Sequence, residues 1–394
     1  MQQLLRRVDE FVRTKVVPAE PTLARHDEAA AAVLRRLQEQ ARAAGLWGIP
    51  LPEPLGGRGL PLADYASIAE TEGHSDFGPA ALGSDLLLDA TMLQRHGTAA
   101  VRERFLRPMT AGYCPPSFAM TEPGVPGTDP AALSTTVVAD GDDLVVTGRK
   151  WFTSRAADAG FTTVVCRTGP TRSGKDTFSL VVVPTGVPGY RVVREVAVLG
   201  VGGQYEIELD AVRVPVDHLV GAPGRGLRIV AERLTLGRTL RCLRWLGQTA
   251  RAFDLLCHRL ASRRVGESAL ADKQLLHGYV FDSYAELGAA RALTHAALTT
   301  LTAGADARTT AGTAKVVTAR ALHAVVDRAI QVYGAEGLTD DTALAMLLRT
   351  ARAARILDGP DELHVTTVAA RLLADYQIAS ETAPPVTASN PARK

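Results

Sequence analysis

The sequence predicts an α+β protein in three parts: a helical N-terminal domain over residues 1–112, a middle β-barrel or sandwich domain over 113–226, and a C-terminal helical bundle over 227–380. Two changes of texture carry that reading. Up to about Arg107, apolar residues recur at helical spacing; between Tyr113 and about Gly226 the period falls to two; from Leu227 to about Asp375, long Ala-, Leu- and Arg-rich helical stretches return. The last stretch, 381–394, has Pro, Thr, Ser and Ala without periodicity and is expected to be a frayed tail.

In the first part, Leu34, Leu37, Ala41 and Ala44 make one helical stripe, and Leu86, Leu87, Ala90 and Leu93 another. Between them, Gly48 to Gly59 holds three prolines and four glycines, a composition that cannot continue a helix. In the middle part, Leu144-Val145-Val146, Phe161 to Val165, Phe178 to Val183 and Tyr205 to Leu209 read as strands bounded by Gly, Asp and Pro. Gly200-Val201-Gly202-Gly203 looks like a nucleotide fingerprint, but a strand rather than a helix follows it, so it fails the context that motif requires. In the last part Arg238, Arg241 and Arg244 recur at near-helical spacing.

Composition narrows the function. The chain has 394 residues, 46% hydrophobic and 22% charged, enough to bury a large core. Its formal charge of +2, with arginines interleaved among acids and alanines, is no electrostatic footprint for nucleic acid. No signal peptide or membrane-spanning stretch is visible, and Cys114, Cys166, Cys242 and Cys257 are scattered without a Cys-x-x-Cys pair, which fits a reducing cytoplasm and encodes no zinc site. The nine histidines form no ligand-spaced pair, so no metal site is expected; a lone helical His323 reads as structural.

The chemistry-bearing segment is Arg355-Ile356-Leu357-Asp358-Gly359-Pro360-Asp361-Glu362. A carboxylate on an apolar run, fixed in direction by a Gly-Pro break, can act as a proton acceptor. The same octet also reads as one helix ending at Gly359-Pro360 with acids opening the next, which is ordinary capping.

Other segments bear on that choice. Phe118-Ala119-Met120-Thr121-Glu122-Pro123-Gly124 with Thr128-Asp129, then Gly148-Arg149-Lys150-Trp151-Phe152-Thr153-Ser154, then Glu208 to Pro215, then Gln331-Val332-Tyr333-Gly334-Ala335-Glu336-Gly337 occur in that order. Together they resemble the acyl-CoA dehydrogenase family, over nearly the whole chain. The resemblance implies a four-helix bundle at the C-terminus and FAD as cofactor. It places Phe118, Met120, Thr121, Gly127, Thr128, Phe152 and Ser154 on the flavin, with Arg263, Gln274, Gln331 and Gly334 reaching the flavin of a neighbouring subunit, and Pro360 and Glu362 beside it. Independently of the family, hydroxyls and free backbone N–H groups in loops flanking strands, as expected at Thr121, Thr128 and Ser154, can cradle a phosphate or ring edge, though they also serve ordinary turns. Phe152 offers an aromatic face where the family usually has tryptophan, or packs in a core. The guanidinium of Arg263 suits a diphosphate, or is simply solvated.

The resemblance also makes Asp358 the catalytic base, usually glutamate; a subgroup of the family carries the same Asp-Gly-Pro-Asp-Glu wording. One methylene fewer withdraws the carboxylate by roughly 1.5 Å, which a shifted backbone or a differently seated substrate must compensate. The alternative position on the first helix of the last domain reads Leu234-Thr235-Leu236-Gly237-Arg238 and offers no carboxylate. Arg238 resembles the arginine near the acyl chain, or is a helix-surface cation, and Thr128 and Gly359 fall beside the substrate. The implied activity is α,β-dehydrogenation of an acyl thioester, on CoA or a carrier protein, in a homodimer or homotetramer that passes electrons to an electron-transferring flavoprotein. An oxidase of the same fold acting on an acyl-CoA or an acidic carbon acid, and a non-catalytic flavin or acyl-CoA binder, remain as alternatives.

Overall fold

The computed structural model describes residues 1–170 and 176–382. Four helices dominate the N-terminal part: α1 (Gln2–Phe11), α2 (Glu28–Ala43), α3 (Leu62–Glu72) and α4 (Leu87–His96). Helix α2 starts where Asp27 accepts a hydrogen bond from Ala30 N, at 2.9 Å. Its stripe buries Leu37 and Ala41, and α4 buries Leu87, Ala90 and Leu93, as their spacing predicts.

Eight strands follow: β1 (Pro116–Ala119), β2 (Thr136–Asp140), β3 (Asp143–Ser154), β4 (Phe161–Pro170), β5 (Asp176–Pro184), β6 (Tyr190–Glu195), β7 (Gln204–Pro215) and β8 (Leu219–Val220). They form one mixed sheet in the order β6-β7-β3-β2-β4-β5-β8, with β1 parallel beside β4. Its two halves meet through a single parallel pair, Thr136 with Arg167. Val146, Val164, Val181, Val183 and Ile207 fill the domain's own core. The four strands read from the sequence are present. The short or exposed ones, β1, β2, β6 and β8, carry too few alternating residues to announce themselves.

The C-terminal part opens with α5 (Gly226–Ser262) and continues with α6 (Gln274–Thr302), α7 (Arg308–Tyr333), α8 (Leu344–Ala354) and α9 (Asp361–Thr382). Helix α5 packs most extensively on α7, and α6 lies against both. It also packs on α3, because two glycines let the backbones touch: a Cβ on Gly247 would lie 2.0 Å from Glu70 O, and one on Gly73 2.3 Å from Arg244 O. The N-terminal helices and one face of the bundle therefore share a hydrophobic core, while the rest of the bundle packs around a second one that includes Leu256, Val326 and Leu347. At the C-terminus, Glu381 and Thr382 continue α9, since nothing between Asp361 and them breaks a helix; the rest of the expected tail lies outside the described residues.

Candidate active site

Two segments of the β domain are sewn together by a buried ion pair. Lys150 Nζ donates to Glu122 Oε1 and to Met120 O, both at 2.8 Å, and both side chains are shut off from water. Glu122 also accepts from Ser134 N, Ser134 Oγ and Thr135 N. Burial would raise the Glu122 carboxyl, but Lys150, Ser134 and Thr135 hold it at about 2. Trp151 N donates to Thr121 O at 3.0 Å, and Ser117 Oγ to Ser154 O at 2.8 Å, so the Met120–Thr121 segment runs alongside the end of β3.

That strand is irregular where it matters. Its register against β7 shifts between Lys150 and Thr153, and Phe152 there has φ 49°. The bulge pushes the Phe152 ring outward, leaving it 43% exposed and edge-on to Trp151 at 4.8 Å. It is not a core aromatic. Beside it, Trp151 Nε1 and Thr153 Oγ1 are buried without a hydrogen-bond partner. An open aromatic platform next to unused donors suits a planar heterocycle bearing acceptor atoms. Ser154 belongs to β3 itself rather than to a flanking loop, and its Oγ donates to Gln204 Oε1 at 3.0 Å. Thr121 follows β1; Gly127 and Thr128 sit exposed in the turn that Asp129 N closes by donating to Pro126 O at 3.1 Å. Phe118 is covered by Arg233, whose guanidinium lies 4.0 Å above the ring and is held by both oxygens of Asp89 at 3.1 Å.

Asp358 lies between α8 and α9, with φ 56°, followed by Gly359 at φ 97°. The octet is thus both things it can be read as: a helix ends, Asp361 opens the next, and Asp358 is presented on the turn between them. Its carboxylate, 24% exposed, pairs with Arg241 Nε at 3.1 Å. Arg238, expected beside this carboxylate, instead donates from Nε to the Asp358 carbonyl at 3.2 Å. Arg241 was the partner its spacing from Arg238 could have indicated. Pro360 accepts from Leu363 N and His364 N in the first turn of α9, Glu362 is exposed there, and Gly359 faces the His364 ring. Asp361 is buried against Lys315 at 3.1 Å, Arg355 at 3.0 Å and Arg320 at 3.4 Å; burial would raise its carboxyl, but these three cations hold it below the usual range.

Arg263, Gln274, Gln331 and Gly334 are all exposed and gather at the other end of the bundle. Arg259, stacked 4.7 Å from Tyr333 and paired with Glu336 at 2.6 Å, ties the end of α5 to the Gly334 turn. Arg263, just past the end of α5, is twenty-five positions on from Arg238, roughly 37 Å at helical rise. Among the described residues no group of His, Cys, Asp and Glu could hold a metal ion. No described helix is long and apolar enough to cross a membrane.

Family profiles described as the acyl-CoA dehydrogenase N-terminal, middle and C-terminal domains match residues 1–113, 117–212 and 224–373. A Mycobacterium tuberculosis protein described as "Probable acyl-CoA dehydrogenase FadE2" is 37% identical over 353 residues, which cover 87% of this chain and 86% of that protein. Acyl-CoA dehydrogenase family member 11 of Gallus gallus is 32% identical over 93% of this chain, which spans only half of that relative's length. A solved Mycobacterium abscessus structure assigned to the acyl-CoA dehydrogenases superposes with a TM-score of 0.87 at 31% identity, covering 95% of this chain and 98% of that one. The chain belongs to the acyl-CoA dehydrogenase family, and it is an oxidoreductase.

Proposed function

We propose that this acyl-CoA dehydrogenase family member is an FAD-dependent dehydrogenase of an acyl thioester, with Asp358 as the base that removes the α proton. The observation that carries the reading is the placement of Asp358: a partly exposed carboxylate on a turn of two consecutive left-handed residues, held by Arg241. The left-handed turn redirects the chain at the base, where a side chain one methylene short needs the backbone to do part of the reaching. FAD is the cofactor of this flavoprotein family, and when bound it supplies the acceptor for the hydride that leaves the β carbon. Phe152 would lie against its ring, Thr121, Ser154 and the unused Trp151 N–H would meet its polar edge, and Met120, Gly127 and Thr128 would line its approach. Asp358 takes the α proton onto its carboxylate, Arg241 orients that carboxylate, and Arg238 and Gly359 shape the wall the acyl arm meets.

Arg263 lies roughly 37 Å along α5 from Arg238, which touches Asp358, so it, with Gln274, Gln331 and Gly334, serves the flavin of a second copy in a homodimer or homotetramer. Electrons then pass to an electron-transferring flavoprotein, and the setting is cytoplasmic.

The decisive test is anaerobic mixing of purified protein with acyl-CoAs while the flavin absorbance is followed. Bleaching is expected, and Asp358→Asn should slow it by about 10³-fold. Bleaching of that variant at the normal rate would overturn the assignment of the base, and peroxide release in air would mark an oxidase instead.

A further inference from the structure

The turn that presents Asp358 is held by a buried histidine of α9. His364, in the first turn of α9, is 6% exposed, and its Nε2 lies 2.9 Å from the Asp358 carbonyl. A carbonyl oxygen only accepts, so Nε2 carries the hydrogen and Nδ1 is bare. Burial pushes the imidazole below its ordinary range, with Arg238 and Lys315 acting in the same direction, so the ring is neutral at physiological pH. One glycine makes room for it: a Cβ on Gly359 would come within 3.0 Å of Nε2. Arg238 Nε is a second donor on the same carbonyl, at 3.2 Å. The left-handed conformation of Asp358, φ 56°, is one aspartate tolerates better than most residues with a Cβ but still less readily than glycine, so donors on its carbonyl help to hold it.

We propose that His364 is a positioning residue for Asp358: its Nε2–H on the Asp358 carbonyl holds the left-handed backbone that aims the carboxylate at the substrate's α carbon. This rests on Asp358 being the base. The predicted signature is a loss in proton abstraction rather than in binding, because His364 touches the base's backbone and not the substrate.

The test compares His364→Met, which removes the donor at similar volume, with His364→Gln, whose side-chain amide reaches the place of Nε2, and with Asp358→Asn. Exchange of the acyl-CoA α-hydrogen with deuterated solvent reports abstraction directly; kcat, KM and the thermal midpoint are read alongside. His364→Met should lower exchange and kcat by about 30-fold with KM within about threefold, and His364→Gln should recover to within about threefold of the parent. Should His364→Met not fold, His364→Asn, whose amide is too short for Nε2, takes its place with the same expected loss. Normal exchange in the donor-less variant, or equal loss in His364→Gln, overturns the positioning role while an inactive Asp358→Asn leaves the base in place. Normal exchange in Asp358→Asn overturns both.

Discussion

Two buried lysine–carboxylate pairs hold the two halves of the site, and they are built differently. Glu122 meets one cation, Lys150, and fills its remaining capacity with two backbone amides and a hydroxyl from Ser134 and Thr135. Asp361 meets three cations, Lys315, Arg320 and Arg355, from α7 and from the end of α8. The first pair pins a loop to a strand within one domain. The second pins the Asp358 turn to two helices. A third buried carboxylate, Glu72 of α3, has no cation in hydrogen-bonding reach: Tyr65 and Ser84 donate to one oxygen, the other has no partner, and burial pushes the group up to about 7. The contrast teaches that the number and kind of donors, more than burial, decide whether an interior carboxylate is charged.

The largest expected effect follows from Glu122 having a single cation. Lys150→Met leaves that carboxylate buried without a counter-charge and should cost about 3–5 kcal/mol, read from urea midpoints. Lys315→Met leaves Asp361 two arginines, so a loss of about 1–2 kcal/mol is expected. Equal losses in the two variants would break the contrast.

The pH dependence sharpens it further. Folding lowers Glu122 from 4.5 to about 2, so the unfolded chain takes up the proton first, and the stability this carboxylate lends is lost as pH falls from 4.5 toward 2. Glu72 moves the other way, from 4.5 to about 7. The native protein keeps a proton the unfolded chain has released, so the contribution present below pH 4.5 is lost as pH rises through 7. Glu72→Gln should therefore stabilise the protein by about 1–2 kcal/mol at pH 8 and leave it nearly unchanged at pH 4.5, measured by thermal melts at the two values. A smaller effect belongs to the surface: Asp27→Ala removes the α2 cap and should lower the thermal midpoint at every pH above 5, by less than either lysine variant does.

Legibility followed the range of the interactions. Stripes such as Leu37 with Ala41 are set by helical period, so their burial could be read from spacing alone. The runs Phe161 to Val165 and Phe178 to Val183 carry their own strand signal, and both are paired in the sheet. Strand β1 has four residues and exists because β4 lies beside it, and β8 has two. At the site, Asp358 and Phe152 could be singled out from motifs, and Glu122 and Lys150 stand inside the same motifs. Nothing local marks Lys150 as a fully buried cation, or joins Arg233 and Asp89 to the face of Phe118.

By itself the sequence determined the three-part order, the family and the residue types brought to the site, because periodicity and motif spacing are properties of neighbouring positions. Only the tertiary structure decided that Arg241 rather than Arg238 pairs with the Asp358 carboxylate, that Arg238 and His364 share its carbonyl, and that a bulge turns Phe152 outward. Those outcomes depend on where α5, α7 and α9 come to rest against one another, to within about an ångström, and hydrogen bonds resolve distances that sequence spacing does not.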